Sequence, residues 1–200
     1  MNFLAHLYLS GNDNDILIGN FIADSVKGKA YQIYRPKIQQ GIILHRKIDE
    51  LTDNHIITKD LASLFKPGYQ KYSGIVIDIF YDHFLSKNWN KFSDVKLEDF
   101  IKRCHKVLLK NITILPPKVQ GFLPIMVATN RLLSYSKLEG LKISLERMAK
   151  YTSLPEASIF AIKTLKVNYD YFNESFLSFF ADIIQSVEVE YKAIAELFTD

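Results

Sequence analysis

The sequence predicts an all-α protein with one domain over residues 1–200 and about eight or nine helices. Apolar residues recur at three- and four-residue spacing through most of the chain, and no useful length alternates apolar and polar residues as a strand would. There is no internal repeat, low-complexity segment or change of composition that would mark a domain boundary. A length of 200 residues with 48% hydrophobic composition suits one packed core.

Capping and helix-breaking residues delimit the elements. Residues 12–15, Asn-Asp-Asn-Asp, can cap a helix that Gly28 ends, and Pro36 can open the next helix at its first position. Residues 2–9 are helix-compatible, and further helices are expected over residues 15–26, 36–54, 54–65, 72–89, 97–110, 118–133, 138–151, 155–167 and 169–198.

The last predicted helix carries an apolar stripe that is typical of a protein core rather than a cofactor site. Its members are Phe172, Phe176, Phe179, Phe180, Ile183 and Ile184. Cys104 and His105 are neighbours on a helix and point about 100° apart, so they cannot form a dyad merely by adjacency. We expect Cys104 to be a buried structural residue and His55 and His105 to be structural or surface residues.

Charge and composition exclude several protein classes. The chain has one cysteine and therefore no internal disulfide, no basic leader like that of a signal peptide, and no run of about 18 uncharged apolar residues long enough to span a membrane. We expect a cytoplasmic protein. Residues 1–150 carry 22 Lys and Arg against 14 Asp and Glu, whereas residues 151–200 carry 3 against 8. The front part could attract an anionic partner, but no Lys/Arg-rich run, helix-turn-helix pattern or zinc-finger spacing predicts nucleic-acid binding.

The most informative stretch is 45–53, His-Arg-Lys-Ile-Asp-Glu-Leu-Thr-Asp. His45 and Asp49 are four residues apart and share a helix face, so one cation could lie between them. Asp53 lies roughly 12 Å from His45 along the axis, at 1.5 Å of rise per residue, which indicates a supporting role or a second ion. The alternative interpretation is a solvated charged face.

Other His and Asp residues interrupt apolar stretches, which argues against that alternative. Asp78, Asp82 and His83 lie in a predicted helix that is apolar nearly all round, and an ionised carboxylate there requires a cationic partner or a metal. His6 lies within an apolar segment. Asp24 falls near the C-terminal end of a predicted helix, where the partial negative charge disfavours an acid.

Mixed imidazole and carboxylate ligands suit Mn²⁺, Fe²⁺ or Zn²⁺, whereas Mg²⁺ prefers oxygen alone. Such a metal would favour hydrolysis. The chain has no glycine-rich phosphate loop and no nucleophile elbow, which disfavours nucleotide-driven and serine-hydrolase chemistry. Arg46 and Lys47 flank the predicted site and are either phosphate or partner contacts or exposed solubilising charges.

Several motifs in the first 90 residues, in this order and with these gaps, resemble the acyl carrier protein phosphodiesterase family. They are residues 1–7 (Met-Asn-Phe-Leu-Ala-His-Leu), Gly19-Asn20 with Ala23-Asp24 and Gly28, Gly41-Ile42 with His45-Arg46, Ile48-Asp49 and Thr52-Asp53, and Asp78 with residues 82–86 before Trp89. Beyond residue 110 the similarity is limited to helical character and residues 147–149.

The resemblance implies a cytoplasmic, manganese-dependent hydrolase that cuts the phosphodiester between the serine of acyl carrier protein and 4′-phosphopantetheine. It also implies an all-helical fold like that of the HD-type metal phosphohydrolases. Their adjacent His-Asp pair is not matched here, because the adjacent pair is Asp82-His83 in reversed order.

On this resemblance we expect His6, Asp24, His45, Asp82 and His83 as the metal ligands. Asp49, Asp53, Asp78 and Arg46 are then catalytic or supporting residues. The expected metal is Mn²⁺, with Mg²⁺, Fe²⁺ or Zn²⁺ as alternatives, and the expected partner is the acidic acyl carrier protein, as substrate.

Two other functions remain open at this point. One is a related metal phosphohydrolase acting on a nucleotide or small phosphoester. The other is a helical binding protein without enzymatic activity, in which the His and Asp residues form structural ion pairs.

Overall fold

The computed structural model describes residues 1–198, and within that range it is all-α, as the sequence predicts. The last two residues of the predicted domain, 199–200, lie outside the described residues. Ten of the twelve described α-helices have seven residues or more, and α5 and α9 are single turns. The helices are α1 Phe3–Leu9, α2 Asn14–Ile22, α3 Pro36–Asn54, α4 Ile56–Ser63, α5 Lys66–Tyr69, α6 Ser73–Lys87, α7 Leu97–Lys110, α8 Pro117–Ala128, α9 Arg131–Ser134, α10 Leu138–Tyr151, α11 Ser158–Val167 and α12 Tyr169–Glu196.

Three predicted helices either differ from the observed ones by more than two residues at one end or are divided. Helix α2 ends at Ile22, and Asp24 lies on the 3₁₀ turn Ala23–Ser25 rather than in a last α-helical turn. The helix predicted over 118–133 is two helices, because Asn130 adopts a left-handed backbone with φ 45° between α8 and α9. The helix predicted from residue 155 begins at Ser158.

The core confirms the aromatic stripe of α12. Phe172, Phe176, Phe179 and Phe180 are buried, and the first three pack with Tyr81 or Phe84 of α6. Cys104 is also buried, as predicted, and burial raises the pKa of its thiol to about 12, so it is a poor nucleophile. No helix in residues 1–198 combines the length and apolar composition that a membrane crossing requires.

Asp82 holds the start of α1 against α6. Its two carboxylate oxygens accept hydrogen bonds from the backbone amides of Leu4 and Ala5, at 2.9 and 3.0 Å, and its side chain is fully buried. The first amides of a helix have no partner within the helix. Asp82 therefore supplies acceptors to α1 and fixes the helix that carries His6.

Helices α2 and α3 approach closely at two glycines. A Cβ on Gly19 would collide with the Ile38 carbonyl oxygen, and one on Gly41 would collide with the Ile16 carbonyl oxygen. Only hydrogen atoms at both positions permit this separation of the two backbones. The contact places Asn20, the residue after Gly19, beside His45 of α3.

We expect Gly41→Ala to lower the free energy of unfolding by about 2–3 kcal/mol, because α2 and α3 must move apart to accept the methyl group. Gly121→Ala is the matched control. Gly121 lies in an exposed stretch of α8 with open space where the added methyl group would lie, so alanine should raise stability by about 0.5–1 kcal/mol. Urea denaturation followed by circular dichroism measures both. Equal effects of the two substitutions would contradict the close contact.

Candidate metal centre

His6, His45 and Asp49 form a cluster in which one atom from each side chain lies within 4.8 Å of the others. His6 comes from α1, while His45 and Asp49 lie one turn apart on α3. The Nε2 atom of His6 is 3.1 Å from Asp49 Oδ1, and the Nε2 atom of His45 is 3.1 Å from Asp49 Oδ2. One carboxylate therefore faces both imidazoles, and Asp49 is 38% exposed while both rings are buried.

Asn20 sets the orientation of both rings from the other side. Its Nδ2 donates to the His6 carbonyl oxygen at 2.9 Å, which directs its Oδ1 toward the histidines. Nδ1 of His6 donates to that Oδ1 at 2.9 Å, and Nδ1 of His45 donates to it at 3.1 Å. Both Nδ1 atoms therefore carry hydrogen, and both Nε2 atoms face Asp49. A hydrogen bond at the second ring nitrogen is the usual support of a metal-ligating histidine.

Asn20 was not among the site residues expected from the sequence, although it lies within a family motif. The available signal was a polar side chain in the apolar helix α2, since every other residue from Ile16 to Ile22 is apolar or glycine. Asn20 is completely buried.

The two imidazole rings stack at 3.9 Å between centroids with 17° between their planes, so both cannot carry a charge at low cost. Burial, and then the charge of His45, lower the pKa of His6 to about 4. Burial also opposes a charge on His45, but its hydrogen bonds to Asp24 and Asp49 raise its pKa to about 9. Burial opposes ionisation of Asp49, yet its hydrogen bonds with His45 and His6 hold its pKa well below the usual range. Near neutral pH His45 therefore carries hydrogen on Nε2 as well as on Nδ1 and is charged, whereas His6 carries hydrogen on Nδ1 alone and is neutral.

Asp24 lies at the mouth of the cluster. Its Oδ1 is 3.3 Å from His45 Nε2, and its side chain is 78% exposed. The hydrogen bond with His45 lowers its pKa, so the carboxylate is ionised. Asp24 thus provides a carboxylate that is accessible to solvent and also contacts the buried His45 ring.

Asp78 lies behind Asp49. The α-ammonium group of Met1 is 3.2 Å from Asp49 Oδ1 and 3.2 Å from Asp78 Oδ1. Burial raises the pKa of Asp78, and the ammonium group opposes that rise. Asp78 therefore interacts with the cluster indirectly, through the Met1 ammonium group that it shares with Asp49. Asp53, one turn beyond Asp49 on α3, is exposed.

Two of the residues expected as ligands lie elsewhere. Both oxygens of Asp82 accept hydrogen bonds from the α1 amides. His83 faces a different part of the core, where Nδ1 donates to the Tyr135 carbonyl oxygen at 2.7 Å and Nε2 is 2.8 Å from the Tyr169 hydroxyl. Asp82 is thus engaged by α1, and His83 by Tyr135 and Tyr169, so the two side chains have different partners.

Arg46 is exposed, which is one of the two alternatives expected for it, and it also has partners within the chain. Its Nη2 donates to the carbonyl oxygens of Val26 and Gly28, each at 2.9 Å, and its guanidinium lies over the Tyr31 ring at 5.3 Å. The sequence predicted either a phosphate contact or an exposed charge at this position. In the structure this side chain holds the segment that follows Asp24.

The positions and charges of the His and Asp side chains in the cluster suit a divalent cation. With hydrogen on both Nδ1 atoms, the two Nε2 atoms face the Asp49 and Asp24 oxygens at 3.1 to 3.3 Å. Near neutral pH the Nε2 atom of His45 carries a hydrogen, whereas that of His6 does not and lies against an Asp49 oxygen as acceptor against acceptor. The proton on His45 Nε2 therefore offsets only part of the repulsion in the cluster. Two imidazoles with one or two carboxylates are ligands that suit Mn²⁺, Fe²⁺ or Zn²⁺.

Comparison with known proteins gives one family. A family model described as acyl carrier protein phosphodiesterase matches residues 1–183. The protein of that name from Yersinia enterocolitica is 30% identical over 94% of this chain and 98% of its own length. The one from Photorhabdus laumondii is 31% identical over 94% of this chain and 96% of its own. No solved structure matches, so the expected similarity to HD-type phosphohydrolases stays a prediction. This chain belongs to the acyl carrier protein phosphodiesterase family.

Proposed function

We propose that this protein is a metal-dependent phosphodiesterase that hydrolyses the bond between the serine of holo acyl carrier protein and its 4′-phosphopantetheine. Family membership over residues 1–183 supports the substrate. The convergence of His6, His45 and Asp49 on one point supports the metal. Water adds to phosphorus, the bond from phosphorus to the serine oxygen breaks, and apo carrier protein and 4′-phosphopantetheine are released.

We propose Mn²⁺ as the ion, held by His6, His45 and Asp49 with Asp24 on the solvent side. A divalent cation at this position would supply the Lewis acidity that phosphodiester hydrolysis requires. This assignment exchanges the roles first expected for Asp24 and Asp49. Asp49 faces both buried rings and is the better ligand, whereas Asp24 is exposed and ionised and can accept a proton from an approaching water.

The remaining residues of the cluster act through these groups. Asn20 keeps both Nδ1 atoms protonated, so that each ring presents an unprotonated Nε2 when the His45 proton leaves. Asp78 holds a cation against Asp49 and is a supporting residue. Both contacts are already formed by side chains that α1, α2, α3 and α6 bring together.

The first test is release of the pantetheine group from purified holo carrier protein in the presence of Mn²⁺, followed by mass spectrometry. We expect His45→Ala and Asp49→Asn to abolish stoichiometric Mn²⁺ binding and to lower kcat at least about 100-fold. His83→Gln is the matched control. It removes a buried histidine outside the cluster, so it should cost stability but leave Mn²⁺ bound in the folded protein.

Two results would contradict this assignment. One is a wild-type protein that leaves the group in place with every divalent metal tried. The other is loss of Mn²⁺ binding in His83→Gln while His45→Ala still binds the ion. That result would place the metal site on α6, at His83.

A second test uses the proton on His45. The metal must displace that proton, so affinity is lowest where His45 is charged and rises as the pH approaches its pKa of about 9. We expect the apparent Mn²⁺ association constant to rise about tenfold per pH unit between pH 6.5 and 8, with about one proton released per ion. Titration calorimetry in buffers of different ionisation enthalpy measures both. An affinity independent of pH would mean that His45 is not a ligand.

A further inference from the structure

The surface beside the cluster has an unusual charge distribution. Between Asp24 and Asp49, residues 25–48 contain six Lys and Arg and no Asp or Glu. Both flanking acids belong to the candidate metal centre, so this basic stretch begins and ends at the site. An anionic molecule approaching here meets no acid from this stretch of chain.

Most of these cations already have partners. Arg35 pairs with Asp15 at 2.9 Å, Lys37 with Asp13 at 3.5 Å, and Lys47 with Glu50 at 3.0 Å. Arg46 is bound to carbonyl oxygens. Lys27 and Lys29 are different, because both are exposed and neither has a carboxylate within 4 Å in residues 1–198.

These two lysines lie on residues 26–33, which we call the basic loop. Arg46 fixes the loop through the Val26 and Gly28 carbonyl oxygens, on either side of Lys27. Gly28 has φ +54°, a backbone conformation that a side chain would disfavour, and it turns the chain between the two lysines. Since Arg46 follows His45 directly, the loop has a fixed position relative to the cluster.

The basic loop also offers an apolar contact. Ile33, at its end, is 82% exposed. A groove of about 650 Å³ begins there and is lined by Ile33, Tyr34, Ile38, Ile114 and Pro116. Two unpaired lysines and an exposed isoleucine thus lie on one loop of eight residues, with an apolar groove at its end, and protein interfaces commonly combine a polar rim with an apolar part.

We propose that the basic loop is the docking surface for the acidic face of the carrier protein, beside the serine that bears the phosphopantetheine arm. This inference rests on the proposed function and assigns a location to the partner. The carrier must present its phosphodiester at Asp24 and His45 while its protein surface rests on neighbouring residues. Lys27 and Lys29 meet that requirement because the basic loop begins two residues after Asp24.

Electrostatic contacts of this kind act mainly on encounter and less on the chemical step. Reversing both charges should therefore weaken substrate binding and leave turnover of the bound substrate unchanged. The uncharged contact at Ile33 should respond weakly to salt, whereas the lysine contribution should fall as ionic strength rises.

The experiment compares wild-type protein with the double variant Lys27→Glu/Lys29→Glu on holo carrier protein and Mn²⁺. We expect KM to rise at least about tenfold at low ionic strength. We expect kcat to change by less than about twofold, because the lysines stabilise the bound substrate and the transition state equally. The difference in KM should shrink as salt rises. Mn²⁺ binding should stay at the wild-type level, since neither lysine belongs to the cluster.

The matched control is Lys163→Glu/Lys166→Glu, which makes the same change of charge at exposed positions of α11. It should change KM by less than about threefold, because only the overall field of the protein changes. A second readout needs no catalysis: metal-free protein should bind carrier protein whose modified serine is replaced by alanine, and the Lys27/Lys29 variant should bind it at least about tenfold more weakly.

Three results would overturn the docking surface while the proposed function stands. The first is wild-type KM in the Lys27/Lys29 variant. The second is a rise in KM of the α11 control, Lys163→Glu/Lys166→Glu, that equals the rise in the Lys27/Lys29 variant. The third is loss of binding to vesicles containing phosphatidylglycerol with carrier binding unchanged, which would assign the loop to a lipid surface. Failure of wild-type protein to hydrolyse holo carrier protein, with the arm-free carrier still bound through Lys27 and Lys29, would overturn the function alone.

Discussion

One buried amide oxygen organises the candidate centre. Oδ1 of Asn20 accepts hydrogen bonds from His6 and from His45, and the Nδ2 of the same amide donates to the His6 backbone. This arrangement requires α2 to lie very close to α3, and Gly19 and Gly41 make that approach sterically possible. Asp82 then fixes α1, so that His6 meets the other two residues. The cluster therefore depends on contacts between four helices, α1, α2, α3 and α6.

The consequence is electrostatic. Because both Nδ1 atoms are committed to Asn20, both rings direct Nε2 toward Asp49, and His45 does so toward Asp24 as well. Near neutral pH the charge of His45 offsets only one of the two carboxylates, Asp24 and Asp49, so the group keeps a net negative charge. Nearby, the Met1 ammonium group offsets charge on Asp49 and Asp78. A divalent ion would relieve the rest, and this is the physical reason to expect metal binding in a fold with no sequence signature of a metal loop.

The sequence predicted what depends on local spacing. Helical periodicity was sufficient for the all-α class, and the four-residue separation of His45 and Asp49 was sufficient to place them on one face of α3. Prediction failed where tertiary contacts decide. Asp24 lies in a 3₁₀ turn that no capping residue in the sequence predicts. Asn130 interrupts a predicted helix although the apolar pattern continues on both sides of this residue.

The candidate ligands illustrate the same division. Asp82 and His83 look like a metal pair in one dimension, because a buried acid and a buried histidine both require partners. Asp82 finds them in the amides of α1, and His83 in Tyr135 and Tyr169, which are distant in sequence. The sequence analysis did not identify Asn20, because a single amide in an apolar helix has no partner nearby in the sequence. Its two histidine partners lie on α1 and α3, before and after it in the chain.

The central claim is that His6, His45 and Asp49 hold one divalent ion. Anomalous diffraction at the manganese edge, from crystals grown with Mn²⁺, tests it most directly. We expect a peak bonded to Nε2 of His6, Nε2 of His45 and the Asp49 carboxylate, with the Asn20 hydrogen bonds unchanged. A peak at Asp82 and His83, or a fully occupied ion bound without either His6 or His45, would contradict it.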